Sequence, residues 1–485
     1  MTDTPDDTTA DAPDERTMRF LTATTEEQQA LARDPAYEQT IVDLLGADGL
    51  AQFRSLPTAD TGHLAAKPNP NTLFVPGVMG SVLSPLGLGG VWWLDIRART
   101  RLDDLGLTPD GAGDAGGPFI DIQPVNVDLS YSEFMAMGLA HDWISIRGCP
   151  YDWRRRLSDE VDRLVGLVTG MRAANGGSPV HLVGHSMGGL LIRTALMERP
   201  ELWDQIGKVV YIATPHFGST SIAGYLKGHL WGTEAIAVLG LYLSRQTFQS
   251  LWGPLSLLPA PNGVYPGSTP SDHPCADFDL YRVESYELDF GRDAERATRL
   301  QHVLDHVADH WRRLHHDHRS WDADQLQRQL MIAGVGHESL FRLERDGAWF
   351  GLKDKKHRAR KVGDVHREGD GRVPLASAVL PGVTTLYVDG EHGGLPNLPA
   401  VAATVFDWLT DQPDWSRRLS PTAVGALGGH LAGDEPASAP LLSSRAPTGL
   451  FDESTLLDDM TDDERQALRD LADTDIPGFN LTKIL

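Results

Sequence analysis

The sequence predicts an α/β fold, a mostly parallel sheet covered by helices on both faces, with a helical cap or lid insertion. Three observations carry that expectation. Short apolar runs rich in Val, Ile and Leu alternate with segments of helical periodicity, the pattern of strands buried on both faces. One stretch, "PVHLVGHSMGGLLIRTAL" at 179–196, passes from a buried strand straight into a helix. A long excursion, 219–324, then interrupts the alternation without ending it.

Taken in order, residues 1–68 form an acidic appendage whose start, "MTDTPDDTTADAPDERT", reads as disordered, followed by helical patterns near Thr25–Arg33 and Tyr37–Phe53. Residues 69–413 carry the α/β signal. Strands are expected at Thr72–Val75, Trp143–Ile146, Val180–Val183, Val209–Ala213, Gln329–Ala333 and Thr384–Val388. Between them, Ser158 caps a helix whose first turn holds Asp159 and Glu160. Val161, Leu164, Val165, Val168 and Met171 line its face. Leu398, Val401, Ala402, Val405 and Trp408 line a later one. The excursion contains the apolar stretch Ala235–Leu243. It also holds a helix with Leu300, Val303, Leu304, Val307, Trp311 and Leu314 at helical spacing, and an insertion there is expected above the strand ends as a cap. Residues 414–485 read as a linker rich in Pro, Gly, Ala and Ser, then an acidic helical segment near Thr461–Ala472.

Composition narrows the function. The chain has 485 residues, 41 % hydrophobic and 23 % charged, as in a water-soluble globular protein, and a formal net charge of −24. That charge disfavours nucleic acid and anionic membranes as partners. The one basic run, "KDKKHRARK" at Lys353–Lys361, reads as a solvated loop. Two cysteines, Cys149 and Cys275, make no disulfide framework, and no spacing calls for a metal or cofactor. No secretory signal and no run of 18 apolar residues is visible, so a cytoplasmic location is expected.

The chemistry starts at Gly184-His185-Ser186-Met187-Gly188, which fits G-x-S-x-G. Gly184 and Gly188 allow a tight strand-to-helix turn that holds Ser186 exposed above the sheet, over unpaired helix N–H groups. A serine hydroxyl needs a base, and the base an orienting acid, in the chain order Ser, acid, His. His392 follows a strand in the Gly-rich "VDGEHGG", and Asp370 sits in "REGDGRVP". Asp364, Asp389 and Glu391 compete as the acid; Asp389 and Glu391 lie close to His392 in sequence. One oxyanion donor is expected at Met187 and another, Val78 or Met79, in the loop "VPGVMGS". His302, His306 and His310 recur at helical spacing and read as a solvated face; His315, His316 and His318 read as a loop or helix end. His185 is expected to pack or hydrogen-bond locally.

"FVPGVMGSVL", "GCPYDWRR", "HLVGHSMGG", "VVYIATPHFGS" and "GDGRVP…EHGG" stand in the order seen in the lecithin:cholesterol acyltransferase-like branch of the α/β hydrolases, which the chain resembles over about residues 70–411. The resemblance implies Ser186 as nucleophile, Asp370 as acid, His392 as base, and Met79 and Met187 as oxyanion donors. It implies acyl esters of lipids, phospholipid among them, as substrates, and Pro150–Arg154 as a structural brace. Signal peptide, disulfides and the cysteine-closed membrane-contact loop of the animal enzymes are missing. Nearby, Trp92 and Trp93 either touch lipid or pack on the core. Trp311 either contacts lipid from a cap or packs as core.

These readings predict a serine ester hydrolase or acyltransferase acting on lipid, with peripheral membrane contact and no cofactor. The alternatives are a small-ester or thioester hydrolase and a non-catalytic scaffold.

Overall fold

The structure is a computed structural model that describes residues 15–58, 71–85, 104–116, 121–227, 245–345 (except 268, 277–278, 289 and 291–293) and 362–428. Trp92, Trp93, Ala235–Leu243, Lys353–Lys361 and everything beyond residue 428 lie outside the described residues. The helices used below are α1 (Glu15–Thr22), α2 (Thr25–Leu31), α3 (Glu38–Ser55), α4 (Ser132–Ala140), α5 (Val161–Ala174), α6 (Met187–Glu198), α7 (Thr220–Lys227), α8 (Trp252–Leu255), α9 (Ala294–His318) and α10 (Pro399–Leu409). The strands are β1 (Thr72–Val75), β2 (Ser81–Pro85), β3 (Ile122–Val127), β4 (Ile146–Gly148), β5 (Val180–His185), β6 (Ile206–Ile212), β7 (Gln329–Val335), β8 (His337–Arg345), β9 (Val362–Gly369) and β10 (Thr384–Asp389).

Six strands form one parallel sheet in the order β10-β7-β6-β5-β1-β4. Side chains alternate across a strand, so each strand feeds two cores. Leu73, Val75, Leu182, Val209, Tyr211, Met331 and Ala333 face one core with α5, α6 and α9. Phe74, Val183, Val210, Ile212, Leu330 and Ile332 face the other with α4 and α10. Burial on both faces is why these runs read as continuously apolar rather than alternating. The chain runs outward from β1 to β4, then returns past β1 to β5, which makes the carboxyl ends of β1 and β5 the switch point of the sheet, where α/β proteins bind ligands.

Several expectations need correction. The strand placed at Trp143–Ile146 is Ile146–Gly148, and Trp143 is exposed, because only from Ile146 does the chain pair with β1. Ser158 is not a helix cap. It lies inside a 3₁₀ turn, Leu157–Glu160, that leads into α5, and no side chain caps α5. The α9 stripe is buried: Leu300, Val303, Leu304, Val307, Trp311 and Leu314 are all at most 3 % exposed. They belong to the core that also contains Leu191, Ala195 and Leu196 of α6, and Trp311 Nε1 donates to the Leu258 carbonyl at 2.9 Å. Trp311 packs as core in this structure.

The His face of α9 is solvated only in part: His302 is exposed, His306 is half-buried and His310 is buried. His310 is buried and hydrogen-bonds Thr194 Oγ1 of α6 at 3.1 Å, and His302 and His306 pack edge-on against Trp252. Among the described residues no group of His, Cys, Asp and Glu could hold a metal ion, and no helix is long and apolar enough to cross a membrane.

At the amino end, α1 to α3 pack through Phe20, Ile41, Leu45 and Phe53 on Val82 and on Leu129 and Ala136 beside α4. Thr24 and Glu27 close a capping box at α2. Asn126 of β3 ties the segment down with hydrogen bonds to the carbonyls of Leu21 and Ala23.

Candidate active site

The turn between β5 and α6 forces the geometry. Ser186 has φ 50° and ψ −124°, a left-handed backbone that costs a non-glycine residue about 1–3 kcal/mol and that only a well-packed surround maintains. The surround is visible at Gly188: a Cβ there would sit 2.2 Å from the Val75 carbonyl oxygen and 2.4 Å from that of Pro76. The end of β1 and the first turn of α6 touch so closely that no side chain fits between them.

His392 opens a 3₁₀ segment directly after β10, and Asp370 follows β9. His392 Nε2 lies 2.9 Å from Ser186 Oγ, and His392 Nδ1 lies 2.8 Å from Asp370 Oδ2. The other carboxylate oxygen of Asp370 accepts the main-chain N–H groups of Arg372 at 3.0 Å and Val373 at 2.7 Å. Oδ1 is thus saturated by backbone, which leaves Oδ2 for the imidazole. The main-chain N–H of His392 also donates to the Asp370 carbonyl at 2.9 Å. Three segments distant in sequence therefore converge on one relay.

Of the competing acids, Asp389 lies 3.8 Å from His337 Nε2, on a different histidine. Asp364 sits on β9 opposite Leu343, and Glu391 is exposed at the start of the 3₁₀ segment. Ser186, His392 and Asp370 are 4 %, 3 % and 2 % exposed. The serine is covered, not exposed as the elbow pattern alone suggested. Met187 is fully buried, its side chain against α8: a Cβ on Gly253 would meet Met187 Cε at 2.8 Å. The excursion thus reaches the Met187 side chain through α8 while its long helix packs on α6.

Met187 is the first residue of α6, so its main-chain N–H belongs to the unpaired helix end beside Ser186. Met79 has φ 60° in the Pro76–Gly80 turn after β1, closed by a Gly80 N–H bond to the Gly77 carbonyl at 3.0 Å. A Cβ on Gly77 would lie 3.1 Å from Ser186 Cβ, which brings that turn against the serine. Together these features place two N–H-bearing segments around one hydroxyl.

Beside the site, Arg154 is fully buried. It donates to both oxygens of Asp152 at 2.9 and 2.6 Å and to Asp114 at 2.7 Å, and Arg155 reaches Asp152 at 3.0 Å. Burial pushes the Asp152 carboxyl up, but Arg154 and Arg155 outweigh it and hold it below the usual range. The Arg154 carbonyl accepts the Gly253 N–H at 2.9 Å, so the brace anchors α8 beside Met187.

Sequence reasoning named His185 as packing or hydrogen-bonding locally but missed its partner, Tyr131. Tyr131 and His185 form a buried pair at 2.8 Å, adjacent to Ser186 and His392. His185 stood inside the motif; Tyr131 gave no local signal, because only the fold brings it 54 residues back to the elbow.

Residues 131–326 match a family model described as "Lecithin:cholesterol acyltransferase". Phosphatidylcholine-sterol acyltransferase of Rattus norvegicus is 38 % identical over 80 residues, 16 % of this chain and 18 % of that one. The Mus musculus protein of the same name is 33 % identical over 129 residues, 25 % and 28 % of the two chains. The chain thus spans under a third of the length of these curated relatives. Among solved structures, the Tle4–Tli4 complex is similar with a TM-score of 0.44 at 14 % identity, over 71 % of this chain and 97 % of that one. Bacillus licheniformis lipase BlEst2 in its propeptide form is similar with a TM-score of 0.34 at 17 % identity, over 73 % and 52 %.

Proposed function

We propose that the chain, which over residues 131–326 matches the lecithin:cholesterol acyltransferase family model, is a serine esterase or acyltransferase that takes acyl groups from lipid esters of phospholipid type. The observation that carries the reading is the Ser186–His392–Asp370 relay, two hydrogen bonds of 2.9 and 2.8 Å at the switch point of the sheet.

His392 Nε2 accepts the Ser186 proton as Oγ attacks the ester carbonyl. Asp370 Oδ2 holds Nδ1–H, which fixes the tautomer and favours the imidazolium that forms. The main-chain N–H groups of Met187 and Met79 receive the oxyanion. His392 returns the proton to the leaving alcohol, leaving an ester on Ser186. Water or a second alcohol, deprotonated by His392, then releases the acyl group. Hydrolysis and transfer share every step except the identity of that last nucleophile.

A small-ester or thioester substrate is the second reading, and the closure of Ser186 to 4 % exposure favours it. A panel of p-nitrophenyl esters from acetate to palmitate separates the two. The lipid reading expects kcat/KM to rise with chain length and to rise further on aggregated substrate. A maximum at acetate or butyrate would leave the serine chemistry and remove the lipid.

A further inference from the structure

His185 precedes the serine, is 2 % exposed, and has both ring nitrogens engaged. Nδ1 lies 2.8 Å from Tyr131 Oη, and Nε2 lies 3.1 Å from the main-chain carbonyl of His392. Tyr131 Oη also accepts the Gly77 main-chain N–H at 3.0 Å. The protons in this chain of bonds have one consistent arrangement. A main-chain N–H can only donate and a main-chain carbonyl can only accept. The His392 carbonyl therefore requires a proton on His185 Nε2. A neutral ring then has a bare lone pair on Nδ1, and the Tyr131 hydroxyl donates to it while accepting from Gly77.

The ring is held neutral. Burial first, and the neighbouring His392 second, keep His185 well below the ordinary histidine range, and burial keeps the Tyr131 phenol protonated. Neutrality matters for chemistry, because the His185 and His392 rings are 5.1 Å apart and a second positive charge there would oppose the imidazolium that His392 must become.

We propose that His185, oriented by Tyr131, is a positioning residue for the catalytic base: its Nε2–H fixes the main chain of His392, and Tyr131 joins that hold to the oxyanion turn at Gly77. The proposal rests on the serine-esterase reading above. The main chain of His392 is thereby clamped twice, through its N–H by the Asp370 carbonyl and through its own carbonyl by His185. Because His185 and Ser186 are consecutive, the peptide that aims the nucleophile also sets the place of the base. Gly77 completes the span: a Cβ there would lie 3.2 Å from both His185 Nδ1 and Tyr131 Oη. One connected path, Gly77–Tyr131–His185–His392–Asp370, ties the oxyanion turn, the elbow, the base and the acid together. The sequence holds His185 inside the motif for this contact, not for contact with Ser186 Oγ.

The test separates the two ring nitrogens. In His185→Gln the amide NH₂ falls near the place of Nε2 and still reaches the His392 carbonyl. In His185→Asn the amide oxygen replaces Nδ1 toward Tyr131, but nothing reaches His392. Tyr131→Phe keeps the ring and removes the proton that fixes the tautomer. kcat and KM on a short p-nitrophenyl ester, the rate of fluorophosphonate labelling at Ser186, and Tm are measured for each variant. A misplaced base costs on the order of 10- to 100-fold. His185→Asn and Tyr131→Phe should lose that much in kcat and in labelling rate, with KM nearly unchanged. His185→Gln should recover most of the loss. Equal kcat for His185→Asn and His185→Gln, or losses that simply follow Tm across the three variants, would overturn the proposal. If the wild-type protein neither hydrolyses the ester nor labels at Ser186, the esterase reading fails first and this inference with it. If the wild type labels and the variants label as fast, only the inference fails.

Discussion

At the scale of the residue, the division of labour on Asp370 decides what a substitution does. Oδ1 is committed to the N–H groups of Arg372 and Val373, and Oδ2 to His392. Asp370→Asn can keep Oδ1 as an acceptor for the backbone while presenting an NH₂ to Nδ1, which forces the opposite imidazole tautomer. kcat should fall by on the order of 10⁴ with little change in Tm. Asp389→Asn, on the His337 side, should change kcat by less than about threefold. A crippled Asp389→Asn beside an active Asp370→Asn would reassign the acid. Ser186, His392 and Asp370, which the structure brings together, could be picked out from residue type, glycine context and chain order, because those constraints are local. Tyr131 could not, since nothing near it in sequence marks a hydroxyl that will meet His185. The burial of Ser186 could not either, because it is a property of tertiary packing.

At the scale of the element, periodicity revealed α9 but not its neighbour. A stripe of Leu, Val and Trp at helical spacing says that a face is buried, and says nothing of what buries it. The structure answers with α6, through the shared core and the His310–Thr194 bond. Leu304 is fully buried, so Leu304→Ala should cost about 2–5 kcal/mol. Activity on short and long esters, compared below the lowered melting temperature, should fall in the same proportion. A selective loss on long-chain or aggregated ester with an unchanged Tm would make the stripe a lid. The strand shifts have a similar origin. Trp143 looks strand-like by composition, but pairing with β1 starts at Ile146, and pairing is a property of two segments.

At the scale of the whole molecule, acidic and basic groups are buried with opposite consequences for pH. Burial first, and Asp152 second, raise Glu160 to about 7, so the folded protein holds a proton that the unfolded chain releases near 4.5. This contribution is full below the unfolded value and is lost as pH rises through about 7. His310 has the reverse sign: burial lowers it to about 3, so its contribution is present above 6.5 and is lost as pH falls. Glu160→Gln isolates the first effect. Its Tm relative to wild type should be higher at pH 8 than at pH 5, and an offset independent of pH would show that Glu160 titrates normally. The alternation of strands and helices made the sheet legible from sequence, since burial on both faces writes itself into the strands. Its order was not legible, because the crossing from β4 back past β1 to β5 leaves no mark in composition. That crossing creates the switch point where the relay stands, and the central claim is that Ser186 there carries the acyl group. Mass spectrometry of the full chain after fluorophosphonate treatment, followed by peptide mapping, tests this most directly. The account predicts one adduct, on Ser186, absent in Ser186→Ala and formed far more slowly in His392→Ala. Ester hydrolysis by the wild-type protein with Ser186 unlabelled, or undiminished turnover in Ser186→Ala, would contradict it.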